Sequence, residues 1–459
     1  MTDADGLPTP QRYWAILTVA IALAMSALDG AIANVALPTI ATDLRASAAS
    51  SIWVVNAYQL AVMMSLTSFA ALGDIIGYRR VYVMGLAVFT LASLLCALSH
   101  SLTGLALARG LQGFGAAGIM SVNAALVRFT YPRARLGQGI GLNTLVIATS
   151  SAAGPTVAAG VLAVASWPWL FLINVPLGAV AFVLAVRALP RTEPSGHRFD
   201  VASAVLSAMC FGLLIVGIDS LGHGFGVAAV AAELAGAGVL GTVLVRRQAG
   251  LAMPMVPVDL FRRPIFALSA LTSVCSFTAQ GLVFVALPFY FQDVLGRSQV
   301  ETGLLMTPWP LAVAAIAPIA GRLADRRPAG VLGGVGLAML SAGLVLVALL
   351  PAHPTASDIV WRMGICGFGF GFFQSPNNRA IISSVPRERS GSAGGVVATA
   401  RLLGQTTGAA LVALVFGLIA EHPGGMGRGT TVAVVLAACF AAIGAGVSSL
   451  RLVEFRDAA

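Results

Sequence analysis

The sequence has no lysine and few charged residues of any kind. Asp, Glu, Lys and Arg make up 10% of the 459 residues, whereas 58% are hydrophobic, and the mean hydropathy is +0.90. This composition excludes a soluble domain, because a water-facing surface needs many more charged side chains. The sequence therefore predicts an integral membrane protein.

Cysteine and histidine are also scarce, with five residues of each. The cysteines fall within apolar segments without metal-ligand spacing, and the histidines are scattered over loops and segment ends. We therefore expect no disulfide and no metal site. A membrane enzyme would need a His, Cys or carboxylate cluster at the aqueous boundary, so neither an enzyme nor a non-transporting receptor is expected.

Long hydrophobic runs dominate the chain. A membrane-spanning helix needs about 20 apolar residues, and we predict an all-α integral membrane protein with fourteen transmembrane helices. The stretch before the first helix lacks the basic start and cleavage site of a secretory signal, so we expect that helix to remain in the mature protein. The fourteen segments begin near Trp14, Ser51, Val81, Thr103, Gly137, Trp169, Val201, Phe225, Phe266, Thr302, Val331, Asp358, Ala393 and Thr431.

The arginines predict the orientation in the membrane. All 27 basic residues are arginine; we place 21 on the side of the N-terminus, three on the opposite side and three inside predicted spans. The positive-inside rule makes the first side cytoplasmic. We therefore expect the protein in the inner (cytoplasmic) membrane, with both termini in the cytoplasm. The net charge of +9 is then a topology signal, and no nucleic-acid partner is expected.

The second half of the chain repeats landmarks of the first. The tetrapeptide VALP occurs at 35–38 and again at 285–288, an offset of 250 residues. Arg109 in the fourth predicted span and Arg362 in the twelfth differ by 253. Nearly equal offsets indicate a duplicated six-span unit, an organisation that many transporters build around a central binding site.

The repeat divides the chain into three segments. Residues 1–190 form the first predicted six-helix bundle, and residues 251–459 form the second. Residues 191–250 have no counterpart and are interpreted as a two-helix insert with its linkers.

Two charges inside predicted spans are the leading candidates for chemistry. Asp29 lies about 22 Å along the first span and Arg109 about 9 Å along the fourth, which runs the opposite way, so both sit at one level. Buried ions in a bilayer pair or line a water-filled cavity, and Gln112 lies one turn from Arg109 on the same face. A carboxylate can exchange a proton whereas arginine stays charged. We therefore predict Asp29 as the proton carrier and Arg109 as its tuning partner; a structural ion pair or direct substrate contact by Asp29 are the alternatives.

A segment of the twelfth span, CGFGFGFFQSPNN at 366–378, is the strongest candidate for a substrate wall. Its glycines permit close helix packing and its rings present aromatic surface, with contact to lipid or core as the alternative. Aromatic walls with one titratable carboxylate suit a bulky hydrophobic cation or a neutral drug. The candidate substrate contacts besides Asp29 are Trp53, Tyr58, Gln112, Gln280, Tyr290, Trp309, Phe368, Phe372 and Gln374.

Gly154 and Pro155 mark a possible conformational element in the fifth span. Proline frees a backbone carbonyl and kinks a helix. Small residues here also permit close helix packing. Both interpretations stay open.

These motifs together resemble the major facilitator superfamily, and within it the fourteen-span branch of drug:proton antiporters. The likeness covers essentially the whole chain, although Ile75 stands where the branch usually has arginine. The residues that carry it are Asp29, Asn34, Ala36 and Pro38 in the first span, Arg109, Gln112 and Gly113 in the fourth, GPTVAAG at 154–160, and WPWLFLINVPLG at 167–178.

The resemblance implies proton-driven export of amphipathic drugs by alternating access, with a proton as the coupling ion and no other cofactor. A proton-coupled importer or a lipid flippase is the alternative. We expect a small-molecule substrate, the lipid bilayer as surroundings and a monomer as the functional unit. The resemblance also implies gate latches between the halves, with solvated loop charges as the alternative, at Asp74, Arg79, Arg80, Asp325 and Arg326.

Overall fold

The computed structural model describes residues 6–132, 136–192, 199–222, 227–249, 258–324, 326–385, 390–419 and 425–457. Most of these residues are α-helical and none of them lies in a β-strand. Eleven helical segments among them are long and apolar enough to cross a bilayer. The prediction of an all-helical membrane protein is therefore confirmed.

The helices of the first part of the chain follow one another with short connections. They are α1 Gln11–Asp43, α2 Ala48–Ser51, α3 Trp53–Ile76, α4 Tyr78–Ala97, α5 Leu102–Thr130, α6 Leu136–Leu162, α7 Pro168–Leu172, α8 Asn174–Ala188, α9 Val201–Gly222 and α10 Val227–Ala249.

The second part begins with a 3-10 turn at Val258–Arg262 and has a π-helical turn at Tyr290–Val294. Its helices are α11 Pro264–Phe289, α12 Gln299–Met306, α13 Pro308–Leu323, α14 Ala329–Ala348, α15 Ala356–Ser383, α16 Ser390–Ile419 and α17 Gly425–Asp457. The long helices α6, α9 and α15 lie outside the eleven spanning segments. The fourteen-helix count stays a prediction.

Several spans are made of two helices that meet at a break. Ile52 separates α2 from α3, Ile173 separates α7 from α8, and Thr307 separates α12 from α13. The third break has a clear cause, since Pro308 and Pro310 have no N–H to continue the backbone hydrogen bonds of the helix.

Side-chain caps fix where several helices begin. Ser101 accepts a hydrogen bond from the backbone of α5, and Ser298 forms a capping box with Glu301. Thr355 forms a second capping box with Asp358 at the start of α15. The Asp358 side chain therefore accepts a hydrogen bond from the backbone N–H of Thr355, at the start of α15.

The chain divides into two compact units. The first comprises the residues up to Ala33 together with Trp53–Phe211, and the second comprises Asn34–Ile52 together with the residues from Gly212 on. In the first unit α5 packs against α3 and α4, and α4 also packs against α8. In the second unit α11 packs against α16 and α17, and α14 lies between α15 and α17. The predicted three-segment division at residues 190 and 250 stays a prediction.

Small residues set the helix spacing in the first unit. A Cβ atom on Gly115 of α5 would lie 2.4 Å from the backbone nitrogen of Phe89 in α4. Real Cβ atoms do not approach backbone so closely, so the crossing of α4 and α5 requires glycine. This contact keeps α5, the helix that carries Arg109, close against α4.

Candidate functional site

Two buried side chains of opposite charge, Asp29 and Arg109, form an ion pair in the first unit. Asp29 is 3% exposed and Arg109 is 1% exposed. Arg109 Nη1 forms an ion pair with Asp29 Oδ2, and Arg109 Nε donates to the carbonyl oxygen of Val54 at 2.9 Å. The sequence-predicted pairing of the two charges is present.

The other carboxylate oxygen is held by two amides. Asp29 Oδ1 accepts from Gln112 Nε2 at 2.8 Å and from Asn174 Nδ2 at 2.9 Å. Gln112 also donates to Ser93 Oγ at 2.8 Å and accepts from Arg109 Nη1 at 2.6 Å. The carboxylate thus has donors on both oxygens, as the charged form requires in a dry interior.

An aromatic ring closes the site over the arginine. The guanidinium carbon of Arg109 lies 4.2 Å from the ring centroid of Tyr58, within cation–π distance. The Tyr58 hydroxyl donates to the carbonyl oxygen of Ser26, one turn before Asp29, at 3.4 Å. Asp29, Arg109, Gln112 and Tyr58, all predicted from the sequence, therefore lie together.

Protonation of Asp29 would affect its ion pair with Arg109. An ionised carboxylate only accepts hydrogen bonds, whereas a protonated one must donate through one oxygen. A proton on Asp29 Oδ2 therefore replaces the bond from Arg109 and removes the charge that the guanidinium pairs with. A proton and Arg109 would therefore compete for the same oxygen of Asp29.

Asn174 was not singled out by the sequence pattern. It is the first residue of α8, directly after the break at Ile173, and is 4% exposed. The available signal was a lone amide within the apolar stretch WPWLFLINVPLG at 167–178. A polar side chain among apolar neighbours in a span needs a partner, and here that partner is Asp29.

Two predicted substrate residues lie in the second unit and face polar or aromatic neighbours. Gln280 of α11 accepts a hydrogen bond from Gln405 of α16 at 3.1 Å. Trp309 of α13 packs edge-on against Phe284, with ring centroids 5.4 Å apart, and lies 6.1 Å from the ring of Phe370.

The remaining predicted substrate residues are less enclosed. Trp53 begins α3 and Tyr290 begins the π-helical turn, and both are partly exposed, as is Gln374. Their roles stay predictions.

The phenylalanines predicted as a substrate wall lie outside the aromatic cluster of the second unit. In this cluster Phe370 of α15 contacts the rings of Phe277, Trp309 and Phe373. Phe370 and Phe373 are buried in it, whereas Phe368 is 39% exposed and Phe372 is partly exposed. At 100° per residue, Phe368 stands on the face of α15 opposite the two buried rings. This placement favours lipid contact for Phe368, and a substrate role stays a prediction.

The residues predicted as gate latches have local partners or are exposed. Asp74 accepts a hydrogen bond from the Tyr78 hydroxyl and is exposed. Arg79 donates to the carbonyl oxygen of Val186, and Arg80 donates to that of Ile76 at 3.4 Å.

The second copy of the latch is described only in part. Arg326 is exposed, and Asp325 lies outside the described residues. Both latches stay predictions.

The Gly154–Pro155 element packs next to the ion pair. A Cβ on Gly154 would lie 2.4 Å from the Cβ of Ala31, two residues after Asp29. Pro155 lies inside the continuous helix α6. The contact favours close packing at Gly154, while a conformational role for Pro155 stays a prediction.

A buried arginine in the second unit was also missed by the sequence pattern. Arg451 of α17 is 2% exposed, and its Nη1 donates to Asn377 Oδ1 at 2.8 Å and to Ser269 Oγ at 2.9 Å. Asn377 Nδ2 in turn donates to Ser273 Oγ at 2.8 Å. We call Arg451, Asn377, Ser269 and Ser273 the Arg451 cluster; it joins α17, α15 and α11.

Comparison with known protein families decides the class of the molecule. The model of the Major Facilitator Superfamily matches residues 19–409. The chain belongs to the major facilitator superfamily. Membership accounts for the helical membrane fold and identifies the chain as a transporter.

Several curated members of the superfamily are similar over most of their length. The uncharacterized transporter YebQ of Escherichia coli is 57% identical over 459 residues, covering 100% of this chain and 99% of YebQ. The riboflavin transporter RibZ of Clostridioides difficile is 31% identical, covering 88% of each chain. The multidrug efflux pump LfrA of Mycolicibacterium smegmatis is 32% identical, covering 90% of this chain and 84% of LfrA.

A solved transporter structure has the same fold. The crystal structure of a bacterial homolog of the human lysosomal transporter Spinster superposes with a TM-score of 0.69. The two chains are 16% identical, and the match covers 97% of each. At this identity the likeness concerns the fold alone.

Proposed function

We propose that this chain is a proton-coupled exporter of amphipathic compounds that works by alternating access in the cytoplasmic membrane. The observation that carries the proposal is the buried Asp29 carboxylate, whose oxygens accept from Arg109, Gln112 and Asn174. A carboxylate that must break an ion pair to accept a proton is a suitable coupling group.

The coupling step follows from the contacts. When Asp29 is ionised, Arg109 ties α1 to α5, and Asn174 ties α1 to α8. A proton on Asp29 releases the guanidinium, which keeps its contacts to Val54 and Gln112. The Arg109 bond between α1 and α5 thus depends on protonation, which gives the transporter two states that a proton gradient can drive.

The relatives support organic, amphipathic substrates. LfrA is named a multidrug efflux pump and RibZ a riboflavin transporter. We propose a substrate of this general kind, a hydrophobic cation or a neutral drug. Tyr58 is the candidate contact within the first unit, and Gln280 and Trp309 are separate candidates within the second.

The proposed topology has fourteen spans and cytoplasmic termini. The helices α6, α9 and α15 contain 27, 22 and 28 residues, long enough to add to the eleven apolar segments. The arginine distribution then puts the excess of positive charge on the side of both termini.

Transport into everted membrane vesicles tests the proposal. With the vesicle interior acidified, an exporter takes up a fluorescent amphipathic dye, and collapse of the pH gradient releases it. Uptake only into right-side-out vesicles would indicate the importer alternative. Dye movement that ignores the gradient would contradict proton coupling, and transfer of labelled phospholipid without dye uptake would indicate a flippase.

A further inference from the structure

The one fully buried carboxylate among the described residues is already paired. Among the residues that the structure describes, the fully buried ionisable side chains with a formal charge are Asp29, Arg109 and Arg451. The one carboxylate is occupied by Arg109, and Arg451 is surrounded by neutral acceptors. A desolvated cation needs a counter-charge, so the balance of buried charge favours a neutral substrate.

Glu233 is a second carboxylate, and its Oε2 is buried without a partner among the described residues, but it lies on α10 rather than on α11, α13 or α15. It is half-buried on α10, where its Cβ lies 3.3 Å from the position of a Cβ on Gly217 of α9. The Glu233 side chain therefore packs between α9 and α10, two helices that contribute no ring to the aromatic cluster of the second unit.

Four aromatic rings of the second unit form a connected chain. The Phe284 ring lies 5.4 Å from Trp309, Trp309 lies 6.1 Å from Phe370, and Phe370 lies 5.4 Å from Phe277. We call these four residues the aromatic chain. Both ends of the aromatic chain, Phe277 and Phe284, are on α11. These two residues are about two turns apart and lie on the same face of that helix.

Polar groups stand beside this aromatic chain. Gln280 lies on α11 between Phe277 and Phe284 and accepts from Gln405 at 3.1 Å. The indole N–H of Trp309 is buried and has no acceptor among the described residues. Buried indole N–H groups nearly always have a partner, so this donor marks a place where an acceptor from outside the chain fits.

The backbone holds Trp309 in a fixed position. It stands between Pro308 and Pro310 at the break between α12 and α13, and a Cβ on Gly367 of α15 would lie 2.2 Å from its carbonyl oxygen. Phe284, in contrast, is partly exposed. The partly exposed ring of Phe284 is therefore the one of the pair that a ligand reaches first, and the buried ring of Trp309 lies next to it.

We propose that the second unit binds a neutral, flat aromatic compound with carbonyl and N–H groups along one edge. This inference rests on the proposed transport function and names its substrate class. The compound takes the place of the Phe284 ring beside Trp309 and accepts a hydrogen bond from the indole N–H. Its edge pairs with the amide pair, because Gln280 retains N–H donors and Gln405 retains a carbonyl acceptor.

Equilibrium binding to the purified full-length transporter tests the substrate class. The probes are lumichrome, a neutral tricycle with an imide edge; ethidium, a flat cation; and tetraphenylphosphonium, a cation that is not flat. We expect lumichrome to bind most tightly and to quench tryptophan fluorescence. Tighter binding of either cation than of lumichrome would overturn the proposal.

Two variants test the assigned contacts. Trp309→Phe keeps a ring and removes the N–H, and Gln280→Leu removes the amide; each should raise the Kd for lumichrome about threefold to tenfold, the effect of one hydrogen bond. Trp361→Phe is the matched control, because Trp361 is exposed on α15 beside Arg362. An unchanged Kd in both folded variants would overturn the proposal.

Vesicle transport with the same probes separates this inference from the proposed function. Binding of lumichrome that depends on Trp309, without uptake driven by the pH gradient, would refute proton-coupled export and retain the binding site. Gradient-driven uptake of ethidium that lumichrome does not inhibit would retain export and refute the substrate class.

Discussion

At the scale of single residues, the first unit concentrates its polar chemistry on one carboxylate. Asp29 has three donors around it, Arg109, Gln112 and Asn174, contributed by α5 and α8. An unpaired ion in a bilayer costs several kcal/mol or more. The donors therefore stabilise the charged state of Asp29.

Replacement of this carboxylate by an amide separates folding from coupling. Asp29→Asn keeps the size and a hydrogen-bonding carbonyl but cannot exchange a proton. We expect a folded, membrane-inserted protein that has lost uphill transport in vesicles. Substrate-induced proton release, measured with a pH-sensitive dye in weakly buffered detergent solution, should also disappear.

Two comparisons make that experiment decisive. If Asp29 instead contacts a cationic substrate, the variant loses binding of cations and retains binding of neutral compounds. Normal uphill flux by the asparagine variant would show that Asp29 is not the carrier.

Asn174 provides a second, milder test of the same site. Asn174→Leu removes one donor from Asp29 Oδ1 while its apolar side chain fits the membrane interior. We expect the free energy of unfolding to fall by about 1–3 kcal/mol. Uphill transport should also weaken, because Asp29 loses one of the donors that hold it and with it the hydrogen bond between α1 and α8.

Transport per folded molecule distinguishes this role from simple packing. A residue that only fills space would change stability and expression but leave the transport rate per folded molecule unchanged. Asn174→Gln, which retains the amide, should recover part of the wild-type transport.

At the scale of helices, the sequence predicts where spans occur better than how their faces meet. Apolar runs indicate spans because the bilayer demands about 20 such residues, and the level of Asp29 and Arg109 follows from the helical rise. Which rings of α15 are buried is harder to predict from the sequence, because nothing in the sequence distinguishes the phenylalanines at 368, 370, 372 and 373. Packing of α15 on α13 and α14, a tertiary property, decides which of these rings are buried.

Glycines on α15 allow a test of that packing. A Cβ on Gly367 would lie 2.2 Å from the carbonyl oxygen of Trp309, whereas a Cβ on Gly364 meets nothing within 4 Å. Gly367→Ala should destabilise the protein by about 1–3 kcal/mol through overpacking. Gly364→Ala should stabilise it by about 0.5–1 kcal/mol, since alanine favours a helix.

Thermal unfolding midpoints of the two variants in one detergent check this prediction. Equal midpoints would show that α13 and α15 do not approach as closely as the Gly367 contact requires.

At the scale of the whole molecule, the arginine distribution is the feature that the sequence alone could interpret. Charge asymmetry orients spans regardless of how they pack, so topology needs no knowledge of tertiary contacts. The Arg451 cluster shows the limit of that reasoning. By position Arg451 is one more cytoplasmic arginine, yet packing of α17 against α11 and α15 buries its side chain.

The topology itself can be measured directly. We expect a protease-sensitive tag after Ala459 to be protected in intact cells and cleaved in everted vesicles. A tag inserted near Arg428, which we place on the opposite side, should show the reverse pattern. Cleavage of the first tag from outside intact cells would contradict the fourteen-span count.

The Arg451 cluster also bears on the order in which the protein can be completed. The ribosome makes α11 and α15 before α17, so Ser269 and Asn377 enter the bilayer before the guanidinium that binds them has been synthesised. Until α17 inserts, these polar groups have only each other and Ser273 as partners. The Arg451 cluster therefore becomes fully hydrogen-bonded only when α17 arrives, and a chain interrupted before α17 leaves the polar groups of Ser269 and Asn377 without the guanidinium inside the bilayer.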